Sequence, residues 1–195
     1  VMKHHGALCI GKSYEDTFLA ASQLEAASGA FINEKGGQIQ TEPSEEAQPL
    51  SEASKELLAA WEASGKQGRI LINTDPDVVR FSRLGISLRP MLDDFAQIVG
   101  TKIKTVKNHP DSAFSSLKSV SAVMVKDIGA VCWGMDEQDA EAVSMIVRKN
   151  CKAYFASSAM GHPKYIRPWE CILMRQVYLR KYSRMSEKNK HGDHQ

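Results

Sequence analysis

The chain has 195 residues, a formal net charge of +2 and a hydrophobic fraction of 43%. That length fits one large domain, or one domain with part of another, and the small net charge argues against a nucleic-acid-binding protein, which needs a concentrated basic surface. No apolar run approaches the roughly 18 residues of a membrane span, and no apolar leader opens the chain, so we expect a cytoplasmic protein without membrane or nucleic-acid partners.

Strand and helix patterns alternate along the chain. Residues 1–10 predict a short buried strand that ends at Gly11, and Ser13 predicts the N-cap of a helix that reaches about Ile32. Residues 34–50 contain two prolines and four glutamates, a composition typical of a linker. The pattern resumes at Ser51 and predicts strands at 69–73, 101–106, 122–125 and 129–133, and helices at 56–63, 76–84, 90–99, 112–117, 136–156 and 168–184.

This alternation indicates the α/β class, with helices covering a central sheet. We expect four parts: a strand–helix remnant of a first unit at 1–33, a flexible acidic linker at 34–50, a complete domain at 51–185, and a disordered polar tail at 186–195. The chain starts with Val inside a patterned segment, so we expect its first residues to continue a segment that is missing.

One segment occurs twice, 123 residues apart. Lys3-His4-His5-Gly6-Ala7-Leu8-Cys9-Ile10-Gly11 matches Lys126-Asp127-Ile128-Gly129-Ala130-Val131-Cys132-Trp133-Gly134, and Asp16 matches Asp139 in the segment that comes next. The His4-His5 pair of the first copy becomes Asp127-Ile128 in the second. An imidazole binds a metal or moves a proton, and isoleucine does neither. The repeat therefore indicates two copies of one supersecondary unit, of which the second has lost its chemistry.

The first copy resembles the class II aldolase/adducin family. The features that carry the resemblance are a histidine–glycine strand, a glycine and then a helix bearing Leu24-Glu25. Ile72-Asn73-Thr74-Asp75-Pro76 is similar to the family's His-Thr-His-Pro segment. The stretch 88–100 resembles the region C-terminal to that segment in family members. The resemblance covers residues 1 to about 32 and about 51 to 184. It implies a three-layer α/β/α fold with a largely antiparallel central sheet.

The family resemblance also implies a zinc site. In the aldolases three histidines, two from His-x-His and one from His-Gly, hold Zn²⁺, which polarises the substrate carbonyl while a glutamate moves the proton. By position, His5 corresponds to the third ligand of the first unit. In the second unit the ligand positions hold Asn73, Asp75 and Ile128, and the acid/base position falls near Ala53, next to Glu52. One amide, one carboxylate and an isoleucine do not form a zinc site, so we assign no catalytic residue.

We therefore favour a tandem family member whose second unit is degenerate and serves assembly, so that the isolated chain has no aldolase activity. Two alternatives stay open: an active lyase whose zinc site is completed at an interface with His5, and a non-catalytic binding protein for a sugar phosphate or sugar acid. Family members assemble as tetramers, which implies a homo-oligomer here. Tyr178 and Tyr182 lie one helical turn apart, and a tyrosine from that region can reach a neighbouring subunit's site in the family. Packing is the competing explanation for both residues.

Four cysteines, Cys9, Cys132, Cys151 and Cys171, lie in apolar surroundings without CxxC spacing. Reduced, buried thiols explain them. For Asn73 and Asp75 the competing interpretation needs no metal, because an aspartate directly before Pro76 is well placed to cap a helix.

Overall fold

The computed structural model describes residues 7–38, 50–117 and 120–192, with side chains described as far as residue 180. The chain divides into two compact units. One comprises Val1–Pro43 with Phe155–His162, and the other comprises Ser44–Tyr154 with Pro163–Gln195. The four domain boundaries expected from the sequence stay predictions.

The first unit is built on helix α1, Tyr14–Glu34. The hydroxyl of Ser13 accepts a hydrogen bond from the backbone N–H of Asp16 at 3.1 Å, which is the predicted N-cap. Of the residues in α1, only Gly29 is buried. The apolar side chains that we expected to form a packed stripe are largely exposed, with Phe18 at 63% and Phe31 at 49%.

The strand predicted for residues 1–10 is wrong where it can be compared. Residues 7–10 have no strand structure, and Leu8 and Ile10 are 66% and 79% exposed. A strand needs a hydrogen-bonded neighbour, and no strand of the described residues pairs with this segment. His5 and the rest of residues 1–6 lie outside the described residues.

The second unit carries the sheet and most of the helices. Its helices and strands, in chain order, are α2 Glu52–Ala63, β1 Arg69–Asn73, α3 Pro76–Arg83, α4 Asp93–Ile98, β2 Thr105–Val106, α5 Pro110–Ser116, β3 Ala122–Val125, β4 Gly129–Gly134, α6 Glu137–Ala159 and α7 Pro168–Gly192. The last residues of α6, from Phe155 on, belong to the first unit. Among the described residues, no helix is both long and apolar enough to cross a membrane.

The four strands form one mixed sheet in the order β1-β4-β3-β2. β4 pairs antiparallel with β1 and with β3, whereas β2 pairs parallel with β3. The sheet is thus mixed and not largely antiparallel as expected. The physical reason is the connection: helix α5 carries the chain from β2 back to the start of β3, and such a crossover places two strands parallel.

Helices cover both faces of this sheet. Side chains alternate along a strand, so Val123, Val125 and Val131 point to one face, where they pack with Leu57 of α2 and Phe114 of α5. On the other face, Asn73 of β1 hydrogen-bonds to Ser144 of α6. Helix α3 lies on that side too, because the ring of Phe81 packs edge-on against Tyr154 of α6 at 4.9 Å. The second unit is therefore an α/β sheet flanked by helices.

Two predicted elements are shorter than the sequence suggested. The helix predicted at 90–99 begins only at Asp93, because Pro90 O accepts a hydrogen bond from Ile166 N and Met91 N donates to Asn150 Oδ1. The edge strand predicted at 101–106 is reduced to its last two residues. Ahead of them, Ile103 makes an isolated antiparallel bridge to Leu88.

Candidate functional site

The candidate site is the end of β1. The family resemblance places two of the zinc-ligand positions there, and in this chain they hold Asn73 and Asp75. Asn73 is the last residue of β1 and is only 7% exposed. Its Nδ2 donates to Ser144 O at 3.0 Å and to Ser144 Oγ at 2.8 Å, while its Oδ1 accepts from Asp75 N at 2.9 Å. Both ends of the amide are therefore engaged in bonds that join the sheet to α6 and shape the turn into α3.

Asp75 is the N-cap of α3. Its Oδ1 accepts a hydrogen bond from Asp77 N at 3.0 Å, and Pro76 occupies the first helical turn, where its missing N–H costs nothing. This is the capping role that the sequence offered as the alternative to metal binding.

Ile128 lies in the turn between β3 and β4 and belongs to the apolar core that also contains Leu57 and Ile72. The next residue, Gly129, has a φ of +132°, and a Cβ there would collide with the carbonyl oxygen of Asn73. The main chain at the start of β4 therefore lies directly against the end of β1. Their side chains separate: Ile128 packs on the α2 side of the sheet, and Asn73 bonds to α6.

These residues do not fit zinc. The side-chain amide of Asn73 is hydrogen-bonded to Ser144 and to the backbone of Asp75. The carboxylate of Asp75 caps α3, and the side chain of Ile128 has no atom that could bind a metal. Within the described part of the chain, no group of three or more His, Cys, Asp or Glu residues is placed to hold a metal ion. Zinc prefers four converging N, S or carboxylate donors, and the three ligand positions offer only the capping carboxylate of Asp75.

Two thiols, Cys132 of β4 and Cys151 of α6, lie on the face of the sheet that α6 covers. Cys132 is fully buried, and that burial raises the pKa of its thiol to about 12, against a smaller lowering effect of Ser144. Burial is also the main cause that raises the pKa of Cys151 well above its ordinary value, with the negative charges of Asp77 and Asp75 adding to it. Both thiols therefore stay protonated at neutral pH, and neither is a ready nucleophile or metal ligand.

The remaining site residues are spread over other elements. Ala53 and Glu52 lie in the first turn of α2, and Glu52 forms an exposed ion pair with Lys55 at 2.7 Å. Tyr178 is half-buried in α7; Tyr182 is in the same helix, but its side chain lies outside the described residues.

Sequence reasoning missed Ser144, the residue that engages Asn73. No motif marks it, because a serine inside a long helix is ordinary. Ser144 lies on the side of α6 that faces Cys132 and Asn73. That position can be inferred only once the order of the strands and the face covered by α6 are known.

No protein-family model matches the chain, and no curated protein matches it. Solved structures do match. One of them, an L-fuculose 1-phosphate aldolase, aligns with a TM-score of 0.54 and 14% sequence identity over 63% of this chain and 61% of that chain. The aligned part of the chain thus corresponds to about three fifths of the aldolase's length. At this identity the likeness shows a shared fold.

Proposed function

We propose that this chain is a degenerate member of the class II aldolase/adducin family whose second unit serves assembly rather than carbon–carbon bond cleavage. The observation that carries the proposal is the reuse of the ligand positions: an amide tied to Ser144, a carboxylate that caps a helix and an isoleucine in the core. The fold similarity to L-fuculose 1-phosphate aldolase and the internal repeat of residues 3–11 at 126–134 support descent from such enzymes.

The repeat also supports the proposal at the level of backbone geometry. A Cβ at Gly11 would lie 2.7 Å from Asp16 Cβ and 2.8 Å from the Asp16 carbonyl carbon; at Gly134 the corresponding distances to Asp139 are 2.5 and 2.7 Å. The hydroxyl of Ser13 and the carboxylate of Asp136 each cap the next helix, at the same offset of three residues. Residues 11–34 therefore reproduce the turn and helix that come after β4.

Assembly is supported by a row of apolar side chains on α7. Trp169, Ile172, Leu173 and Val177 recur at helical spacing and are 51–59% exposed. Contiguous exposed apolar surface of this kind marks interaction sites. A second copy of the chain is the occupant that the tetrameric assembly of the resembled family implies.

The test measures metal content and turnover of the purified full chain after incubation with zinc and removal of the excess. We expect no stoichiometric zinc by elemental mass spectrometry and no cleavage of L-fuculose 1-phosphate. Asn73→Ala should change neither value, yet it should lower the free energy of unfolding by about 1–3 kcal/mol, because a buried hydrogen-bonded amide is lost.

The His5→Ala variant separates the alternatives. One zinc per chain that is retained by wild type and lost in this variant would replace the proposal by an active site completed at an interface. Saturable binding of L-fuculose 1-phosphate without zinc and without turnover would favour a sugar-phosphate-binding protein instead.

A further inference from the structure

A cavity lies at the end of the β1–β4 ladder that is opposite to Asn73. It measures about 400 Å³, and the residues that line it include Trp61, Lys66, Gln67, Phe114, Trp133 and Arg175. We call it the aromatic pocket. Arg69 pairs with Gly134 at this end and Asn73 pairs with Ala130 at the other, so roughly 13 Å of strand separates the pocket from the degenerate ligand positions at about 3.3 Å per residue.

Fixed contacts hold the walls of the aromatic pocket. The rings of Trp61 and Phe114 meet edge to face, with 5.2 Å between centroids and 77° between planes. The indole Nε1 of Trp133 donates to Gln67 O at 3.1 Å. Gly68 makes room for that indole, because a Cβ at this position would lie 2.5 Å from Trp133 Nε1. The aromatic surfaces are thus preformed, which lowers the entropy lost when a flat ligand binds.

The charge of the aromatic pocket has one sign. Lys66 Nζ lies 4.9 Å from the Phe114 ring centroid and 5.7 Å from that of Trp61. No carboxylate in the described part of the chain lies within 4.0 Å of this ammonium. Arg175 adds a second cation, held by the hydrogen bond from Nη1 to Ile98 O at 2.6 Å. Among the described residues that line the pocket, none is acidic.

We infer that the aromatic pocket binds a small organic anion with a flat apolar body, such as an aromatic carboxylate. The ring would lie against the indole and phenyl walls, where aromatic contacts are favourable, and the carboxylate would bind the Lys66 ammonium. The volume falls within the range of ligand sites, and the combination of apolar walls with few polar groups is typical of them. The positive lining disfavours an organic cation, which would meet the like charges of Lys66 and Arg175. This site is independent of the proposed function, because it uses none of the degenerate ligand positions.

The test uses 2-naphthoate as the probe and the indole N–H signals of the three tryptophans as the readout, recorded by ¹⁵N–¹H NMR on the full chain. Trp61 and Trp133 line the pocket, whereas Trp169 is on the exposed face of α7 and serves as an internal control. We expect saturable shifts of the Trp61 and Trp133 signals with Trp169 unmoved. The neutral analogue 2-naphthamide should bind roughly tenfold more weakly, because it lacks the charge-assisted contact.

Lys66→Gln should weaken 2-naphthoate binding by a similar factor of about ten while leaving the amide's affinity unchanged. Lys55→Gln is the matched control, since Lys55 is an exposed lysine of α2 that does not line the pocket; it should bind like wild type. Three results would overturn the inference: no saturable shift of Trp61 and Trp133, an equal shift of Trp169, or equal affinities of wild type and Lys66→Gln for 2-naphthoate. Chemical shifts away from the pocket report whether each variant keeps its fold.

Discussion

At the scale of single residues, the end of β1 is explained by local hydrogen bonding. The amide of Asn73 reaches Ser144 on α6 and the N–H of Asp75 at the same time. Asp75 caps α3 without a metal. Both side chains satisfy polar groups that would otherwise be buried without partners. Local hydrogen bonding therefore explains both residues.

Gly129 gives the first prediction. Its φ is +132° and a Cβ would strike the Asn73 carbonyl, so Gly129→Ala should destabilise the chain by about 2 kcal/mol or more. Gly65→Ala is the matched control: φ is +63° and nothing lies within 4 Å, so only the conformational cost of about 1 kcal/mol applies. Urea denaturation measures both. An equal loss of unfolding free energy in the two variants would contradict this prediction, because the end of β1 would then move away from the new methyl group at no energetic cost.

Cys132 gives the second prediction. The unfolded thiol ionises near its ordinary pKa of 9.0, whereas the folded thiol stays protonated until about 12. The unfolded state therefore binds fewer protons between these limits, and stability falls as pH rises through that window, by up to about 1.4 kcal/mol per pH unit for this thiol. Well below pH 9 the thiol is protonated in both states and has no effect on the pH dependence of stability.

The measurement for Cys132 is the free energy of unfolding against pH from about 8.5 to 10.5. Cys132→Ala should show a shallower decline than wild type, whatever its stability at the lower end of this range. Cys9→Ala, at a position that is not buried, is the control and should decline like wild type. A decline in Cys132→Ala that runs parallel to wild type would contradict the burial argument.

At the scale of helices and strands, much of the second unit could be predicted from the sequence. Strand Arg69–Asn73, strand Ala122–Val125 and the cap at Asp75 were all readable, because β-branched runs and a capping aspartate before proline act locally. The helix predicted from Pro90 was too long, since the competing partner of Met91 is Asn150, a residue about 60 positions away. The parallel pairing of β2 depends on a crossover that no local pattern announces.

The candidate site, too, could be predicted only as far as local sequence patterns reach. The sequence identified Asn73, Asp75 and Ile128 through the family resemblance and the internal repeat, and it offered helix capping by Asp75 as an alternative. It could not identify Ser144, and it could not place Ile128 in the core with Leu57. Both facts depend on which side of the sheet each helix covers.

Helix α7 gives the third prediction. If its exposed apolar row joins two copies, Leu173→Glu should shift the chain toward a smaller species, because burying the new carboxylate costs several kcal/mol. Gln138→Glu adds the same charge at an exposed polar position of a different helix, α6, and is the control. Size-exclusion chromatography with light scattering gives the mass of each. An unchanged mass for Leu173→Glu would remove α7 from the interface.

At the scale of the whole molecule, the two units differ in how much they bury. Helix α1 buries only one glycine, whereas the second unit buries large side chains such as Phe81, Phe95 and Val131 completely. Most of the stability of a helix in a protein comes from packing an apolar face, and α1 packs little of its own. We therefore expect the first unit to contribute helical content but little resistance to denaturant.

Unfolding by urea should accordingly occur in two stages, which is the fourth prediction. All three tryptophans lie in the second unit, so tryptophan fluorescence reports that unit alone. Far-ultraviolet circular dichroism also reports α1, so its signal should begin to fall at lower urea than the fluorescence does. Superimposable transitions by the two probes would show that the units unfold together.

The position of β4 in the middle of the sheet also has a consequence during synthesis. Ile72 of β1 pairs with Val131 of β4, so β1 has no partner until about 60 further residues have left the ribosome, which takes roughly 3–12 s at about 5–20 residues per second. Throughout that interval the apolar strand 69–73 is a nascent-chain segment that a chaperone can bind. A synonymous change that slows translation between codons 74 and 128 would lengthen this exposure without altering a single residue of the product.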